Sequence, residues 1–237
     1  MNFSSVWTYF KTKRHIFIHL GLALSVALLL QLAYDLNGRD ARRKANDWGG
    51  GIALDTLQLP ESAVAKFKNT ISSEEAARIR QQFLECRAKI SWHLHLTKDY
   101  FVQAYAANSA AYAAGALAAL VLFWISKGGW AAANPYLLTI FAVATIGSVL
   151  YGTFPVTGKH KENIDANIGA YRQYIEIAKD IACFAATGNG KDGQGTTAAA
   201  FLHDVDVRMN SLNTVPVGYD PSKTPDYKQA FPAAGKS

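Results

Sequence analysis

The sequence predicts an all-α integral membrane protein, with an N-terminal single span and a transmembrane helical hairpin extended by amphipathic cytoplasmic helices. Three observations predict it. Between Asp99 and Lys159 the only Lys, Arg, Asp or Glu is Lys127, whereas a water-facing helix carries charge every turn or two. Lys127 divides that gap into two charge-free runs, each longer than the roughly 20 residues that cross a bilayer core. A third uncharged run, Ile16 to Tyr34, lies near the N-terminus and is rich in Leu and Ala.

Whole-chain averages hide this pattern. Half of the 237 residues are hydrophobic, yet the mean hydropathy is only +0.01. The net charge is +6 and the pI about 9.2. A basic balance suits nucleic acid, an anionic membrane surface or the Lys/Arg bias of cytoplasmic loops. Here the basic residues flank apolar runs, which favours the last, and no nucleic-acid partner is expected. The two cysteines, Cys86 and Cys183, form neither a disulfide framework nor a zinc pattern and read as free thiols.

The first element is an anchor over 1–44. Lys11, Lys13, Arg14 and His15 precede Ile16–Tyr34, and Arg39, Arg42, Arg43 and Lys44 follow it. A cleaved signal peptide would fit the position. The length of the run, the lack of a small-residue cleavage site and the basic stop-transfer cluster favour a retained span. Residues 45–71 read as a linker, broken by Gly49–Gly51 and Pro60, with room for a short helix around Glu61 to Asn69.

A strong helix start follows, because Ser72 and Glu75 have capping-box spacing. Ile79, Phe83, Cys86, Ile90, Leu94 and Phe101 then mark one helical face, and Glu74–Arg78 and Glu85–Lys89 have the spacing of exposed i,i+4 pairs. No Pro or Gly interrupts before Gly115, so one helix is expected from about Ser73 to Ser126, spanning over about 104–126. Lys127 to Pro135 reads as a turn, with Pro135 suited to the first turn of the next helix. That helix is expected over Tyr136 to Phe154, with Pro155 and Gly158 marking its exit. Small residues recur every four positions at Ala107, Ala111, Gly115 and Ala119, and in a parallel row at Ala106, Ala110, Ala114 and Ala118. Ala144, Ser148 and Gly152 repeat the pattern on the returning helix. Such rows let backbones approach closely in lipid, so the first and third are the expected packing residues, within the hairpin or between copies.

Beyond the hairpin, Ile164, Ile168, Tyr171, Ile175, Ala178 and Ala182 form an amphipathic stripe that stops near Gly188. A last helix is expected over Ala198 to Leu212, with Phe201, Val205, Met209 and Leu212 on one face, closing a unit of residues 72–213. The proline-containing remainder, 214–237, reads as a disordered tail. Lys and Arg number one in the hairpin turn, eleven over 35–103 and nine after the hairpin. The hairpin tip is therefore expected outside, and the central and C-terminal polar segments in the cytoplasm.

Little in the chain points to catalysis. Gly188-Asn189-Gly190-Lys191-Asp192-Gly193 matches the dinucleotide fingerprint in letters. The fingerprint needs a strand before it, and here a helix precedes it, so a loop is expected. His15 and His19 share a helix face without a nearby carboxylate, and read as polar groups at a membrane boundary. His93 and His95 point to different faces. Gln31, Asn108, Ser109, Thr139, Thr145 and Ser148 lie inside the apolar runs and need hydrogen-bond partners there. No charged residue does, which argues against ion-coupled transport. No catalytic, cofactor-binding or metal-binding residue is expected, and no cofactor.

The stretch from about Ser72 to Leu212 resembles the SLATT family of two-helix membrane proteins. Tyr171 to Ile175, continuing through Ala185 to Gly188, is similar to the family's post-membrane helix and glycine stop, and Phe201 to Leu212 to its closing helix. The resemblance implies a membrane-perturbing or pore-forming effector that assembles through its hairpin, with the lipid bilayer and other copies as partners. The additional span at Ile16–Tyr34 departs from the two-span pattern. It suits the alternative, an accessory structural or assembly subunit of a larger membrane complex.

Overall fold

The computed structural model describes residues 13–48, 57, 59, 71–190 and 193–212. The expected breaks at Gly49–Gly51 and Pro60, the short helix around Glu61–Asn69 and the tail from Thr214 lie outside the described residues. Among the described residues, regular structure is helical apart from one isolated bridge, Asn189 to Gly195. The elements are α1 (Arg14–Asn46), α2 (Ser73–Gly128), a 3-10 turn (Trp130–Ala132), α3 (Pro135–Thr157), α4 (His160–Thr187) and α5 (Ala198–Leu212). By length and composition α1, α2 and the α3–α4 stretch each contain a segment apolar enough to cross a membrane.

The spine is α2, whose 56 residues extend about 84 Å. Its start is capped as the spacing predicts. The Ser72 hydroxyl accepts from the Glu75 amide, and the Ser72 amide donates to the Glu75 carboxylate at 2.9 Å. At its far end Gly129, at φ 80°, turns the chain into the 3-10 segment, and the Asn134 side chain caps α3 through the Tyr136 amide.

The two halves of α2 serve two different bundles. Against its N-terminal half pack α4 and α5, around Ile79, Phe83, Cys86 and Ile90 from α2, Tyr174, Ile177 and Ile181 from α4, and Phe201, Val205 and Met209 from α5. Phe184 and Phe201 stack with centroids 4.0 Å apart. The Arg78–Asp206 and Arg208–Asp180 ion pairs, each 2.8 Å, tie α5 to both neighbours. Burial raises the Cys86 thiol to about 12, so it stays protonated and behaves as a small apolar group. Against the C-terminal half of α2 lie α3, antiparallel, and α1. The register of α1 follows from His15 beside Tyr136, Leu30 against Gly147, Gly38 against Ala106 and Trp48 against Phe101. It runs parallel to α3 and antiparallel to α2.

Several expectations need correction. The helix of α1 extends beyond the apolar run expected to span, Ile16–Tyr34, to Asn46. It continues through the basic cluster because Ala41 and Ala45 bury against Val102 of α2. The helix of α3 passes through Pro155, which expectation placed at its exit, and ends at Thr157. The buried face of α2 leaves Leu94 and Phe101 for His93, Thr97 and Val102. That of α4 turns from Ile164 and Ile168 to Asn163 and Asn167. Hydrophobic periodicity could not find a face on which buried polar residues replace apolar ones. The pairs Glu74–Arg78 and Glu85–Lys89 do not form. Arg78 reaches Asp206, and Lys89 lies over the Trp92 ring.

Candidate functional site

The hairpin seam places the expected packing rows in part. Ser148 Oγ donates to the Ala111 carbonyl at 3.2 Å. A methyl group on Gly115 would sit 3.3 Å from Ser148 Oγ, and one on Gly152 would sit 3.7 Å from the Ala111 methyl. Ala107 and Ala144 are fully buried. Ala119, the fourth member of its row, is exposed and takes no part in the seam. The parallel row is the more buried one: Ala106, Ala110, Ala114 and Ala118 lie on the covered face of α2, with Ala106 against Gly38 of α1. The tightest crossing is at Gly147, which expectation missed. A methyl there would come within 2.6 Å of Leu30 and 3.8 Å of Ala114. Gly147 lies three residues after Ala144, on the edge of the stripe that faces α1, so a search for four-residue spacing passes over it.

A second polar constellation lies where α3 becomes α4. Lys159, at φ 46° in the left-handed region, breaks the helix, and such a break leaves carbonyls of the last turn without helical partners. Side chains from α4 take them. His160 Nδ1 lies 3.2 Å from the Pro155 carbonyl, and Asn163 Nδ2 donates to the Gly158 carbonyl at 3.1 Å. Asn167 Nδ2 donates to the Asn163 carbonyl, and its Oδ1 lies 2.8 Å from His93 Nδ1, carrying the ladder across to α2. The His93 ring stacks on Tyr174. His95 is exposed and meets Asp99 at 3.1 Å. The His160 ring is enclosed by Tyr100 and Phe154, with Nε2 facing the Gln103 amide at 3.2 Å. Its Nδ1 therefore donates to Pro155, and its Nε2 accepts once the Gln103 amide presents its nitrogen, an orientation open to a flip. Burial lowers the His160 pKa below the ordinary 6.5, opposed by the Pro155 hydrogen bond. The sequence offered one signal of this ladder: two asparagines and a histidine at three- and four-residue spacing directly after a Pro–Gly break.

The polar groups of the apolar runs divide into two sets. His19 meets Thr139 at 2.6 Å, Tyr151 donates to Gln31 at 3.0 Å, and Thr145 and Thr153 donate to carbonyls one turn back. Asn108, Ser109 and Tyr112 of α2 have no hydrogen-bond partner among the described residues. Asn108 is exposed and Tyr112 is 78% exposed. The glycine-rich loop follows α4 directly. Its Gly188 ends that helix in the left-handed region, donating to the Phe184 carbonyl. No strand precedes it among the described residues, and Lys191 and Asp192 lie outside them. No group of three or more metal-ligating side chains occurs among the described residues.

Two measurements probe this arrangement. Gly115→Leu is expected to lower the thermal midpoint in detergent, because its side chain must displace Ser148, whereas Leu122→Ile on the exposed face is expected to change it little. Equal midpoints for the two variants would place Gly115 outside any tight contact. For His160 the sign follows from linkage. Its folded pKa is lowered, so below 6.5 the unfolded chain binds more protons and stability declines as the pH falls through that window. His160→Gln is expected to flatten this acid limb in melting curves taken between pH 7 and pH 5, at about the same pH-7 midpoint. An unchanged slope would show that His160 is not the group being protonated.

No protein-family model matches this chain, and no curated protein or solved structure shows significant similarity to it.

Proposed function

We propose that this chain is a non-enzymatic, multi-pass membrane protein that assembles with copies of itself and perturbs or permeates the bilayer once assembled. The observation that carries this reading is the unpartnered polar patch of Asn108, Ser109 and Tyr112 on the open face of α2. In hydrocarbon an unsatisfied amide or hydroxyl is costly, whereas Gln31, Thr139, Thr145 and Ser148 of the apolar runs each have a partner within the chain. A second copy offers the same patch, so a two-fold contact would set Asn108 against its counterpart. Ala116 and Ala119 are exposed one and two turns further along, on the same side of α2, and permit close backbone approach. Interhelical hydrogen bonds of this kind contribute about 0.6–2 kcal/mol each, enough to choose a partner but not to hold one without packing. The polar seam such a contact creates reaches into one leaflet, which fits the perturbing role that the SLATT resemblance implies. Of the orientations available, the Lys and Arg distribution favours the hairpin tip outside and α4 and α5 in the cytoplasm.

One observation favours the second reading, an accessory subunit of a larger complex. The chain has a third candidate span, α1, clasped along the hairpin, and the same polar patch could then meet a different protein.

Native mass measurement after detergent extraction tests the first reading. A homo-oligomer that Asn108→Leu converts to monomer, with a parallel loss of dye release from vesicles, is the expected result. A stoichiometric complex with another chain would overturn self-assembly in favour of the accessory role. Orientation is tested by labelling Lys127→Cys and Lys161→Cys, both exposed positions, in a Cys183→Ser background. Impermeant reagent is expected to reach them from opposite sides of the membrane, and labelling from one side would refute the hairpin crossing.

A further inference from the structure

A groove of about 530 Å³ runs between α1 and α3 on the open side of the bundle. Of its lining, Leu30 and Gly147 are buried, and Ala27, Ile146 and Leu150 are exposed. Along α3 it reaches from Val143 to Phe154, about 16 Å at 1.5 Å per residue, which is the depth of one leaflet of a core roughly 30 Å thick. Polar atoms border it only through Gln31, Tyr34 and Tyr151, and two of these are already engaged. Tyr151 donates to Gln31, and Gln31 donates to Asp35 at 3.1 Å. Among the described residues the Tyr34 hydroxyl is the one polar group of the lining that makes no hydrogen bond, and the rest of the lining is apolar, so the groove suits hydrocarbon.

Charge gathers where the groove opens toward the basic end of α1. Arg42 follows the groove residue Gln31 by eleven residues, about three helical turns, which puts the two on one side of α1. Arg39 lies on the adjacent edge. Neither has a hydrogen bond or ion pair among the described residues. The nearby Asp40 is taken by Lys44 at 2.8 Å and approached by Arg43 at 3.7 Å. Asp35, the remaining acid on this side, is held by the Gln31 amide. On the α3 side Lys159 and Lys161 are exposed just past the helix end.

We infer that the α1–α3 groove is a binding site for an anionic glycerophospholipid, one acyl chain lying against Ala27 and Gly147 and the headgroup phosphate meeting Arg42 and Arg39. Apolar lining, leaflet depth and unneutralised guanidinium groups at the polar end are the three features such a lipid requires. The site rests on the membrane reading proposed above.

The test uses the full chain purified in detergent, with phosphatidylglycerol and phosphatidylcholine of identical acyl chains as probes. Phosphatidylglycerol is expected to be retained on the order of tenfold or more over phosphatidylcholine, given the attraction of two arginines for an anionic headgroup. The double variant Arg39→Gln/Arg42→Gln should erase this preference while still binding phosphatidylcholine. Ala27→Phe, which fills the groove from an exposed position, should reduce retention of both lipids. Equal retention of the two lipids by the unaltered protein, or a preference that survives the double variant, overturns the site. Carbonate extraction of the unaltered protein from membranes separates the two levels. Release without detergent refutes the membrane reading and the site together. Firm retention with no headgroup preference refutes the site alone.

Discussion

A continuous ladder of backbone hydrogen bonds along α2, from Ser73 to Gly128, joins two bundles of opposite character. Its N-terminal half presents Ile79, Phe83, Cys86 and Ile90 to α4 and α5. Its C-terminal half presents alanines to α1 and α3. Because α2 has no proline and no glycine before Gly115, a displacement at one end has no hinge to absorb it. The polar bundle and the apolar bundle are thus held in fixed register by a single rod, and in the proposed bilayer that rod would couple α4 and α5 to the span.

The second strand of the hairpin cannot follow the same path unbroken. At Lys159 it adopts a left-handed conformation, and the carbonyls released there are met by His160 and Asn163. Asn167 and His93 extend that solution to α2, so the break is stapled to the rod at the level where the two bundles meet. Four buried polar side chains do the work that apolar packing does elsewhere. Each engages at least one partner, which is the condition for burying them without a large penalty.

Small residues have two separate uses in the apolar half. Some bring helices together: Gly115 on Ser148, Gly152 on Ala111, and Gly147 beneath Leu30. Others leave space. Ala27 lines the groove between α1 and α3 without filling it, while Ala116 and Ala119 stay exposed beside Asn108 and Tyr112. One composition therefore yields a closed contact within the chain and two open surfaces, one suited to a lipid chain and one to another helix.

The helices were legible in the sequence because each signal is local. The charge gap marks the apolar runs, the Ser72–Glu75 box starts α2, Pro135 starts α3, and Gly188 ends α4. Local signals also exposed the candidate packing residues as a class, since glycine, alanine and serine at four-residue spacing form a row on any helix. Which rows close was decided only by tertiary structure, because two adjacent rows of α2 are equivalent until α1 and α3 take their places. Thus Ala106 meets α1, Gly115 meets α3 and Ala119 meets neither. The His93–Asn167–Asn163 ladder was hidden for a related reason. Hydrophobic periodicity registers apolar side chains, and a buried asparagine becomes interpretable only when the carbonyl that it serves is in place.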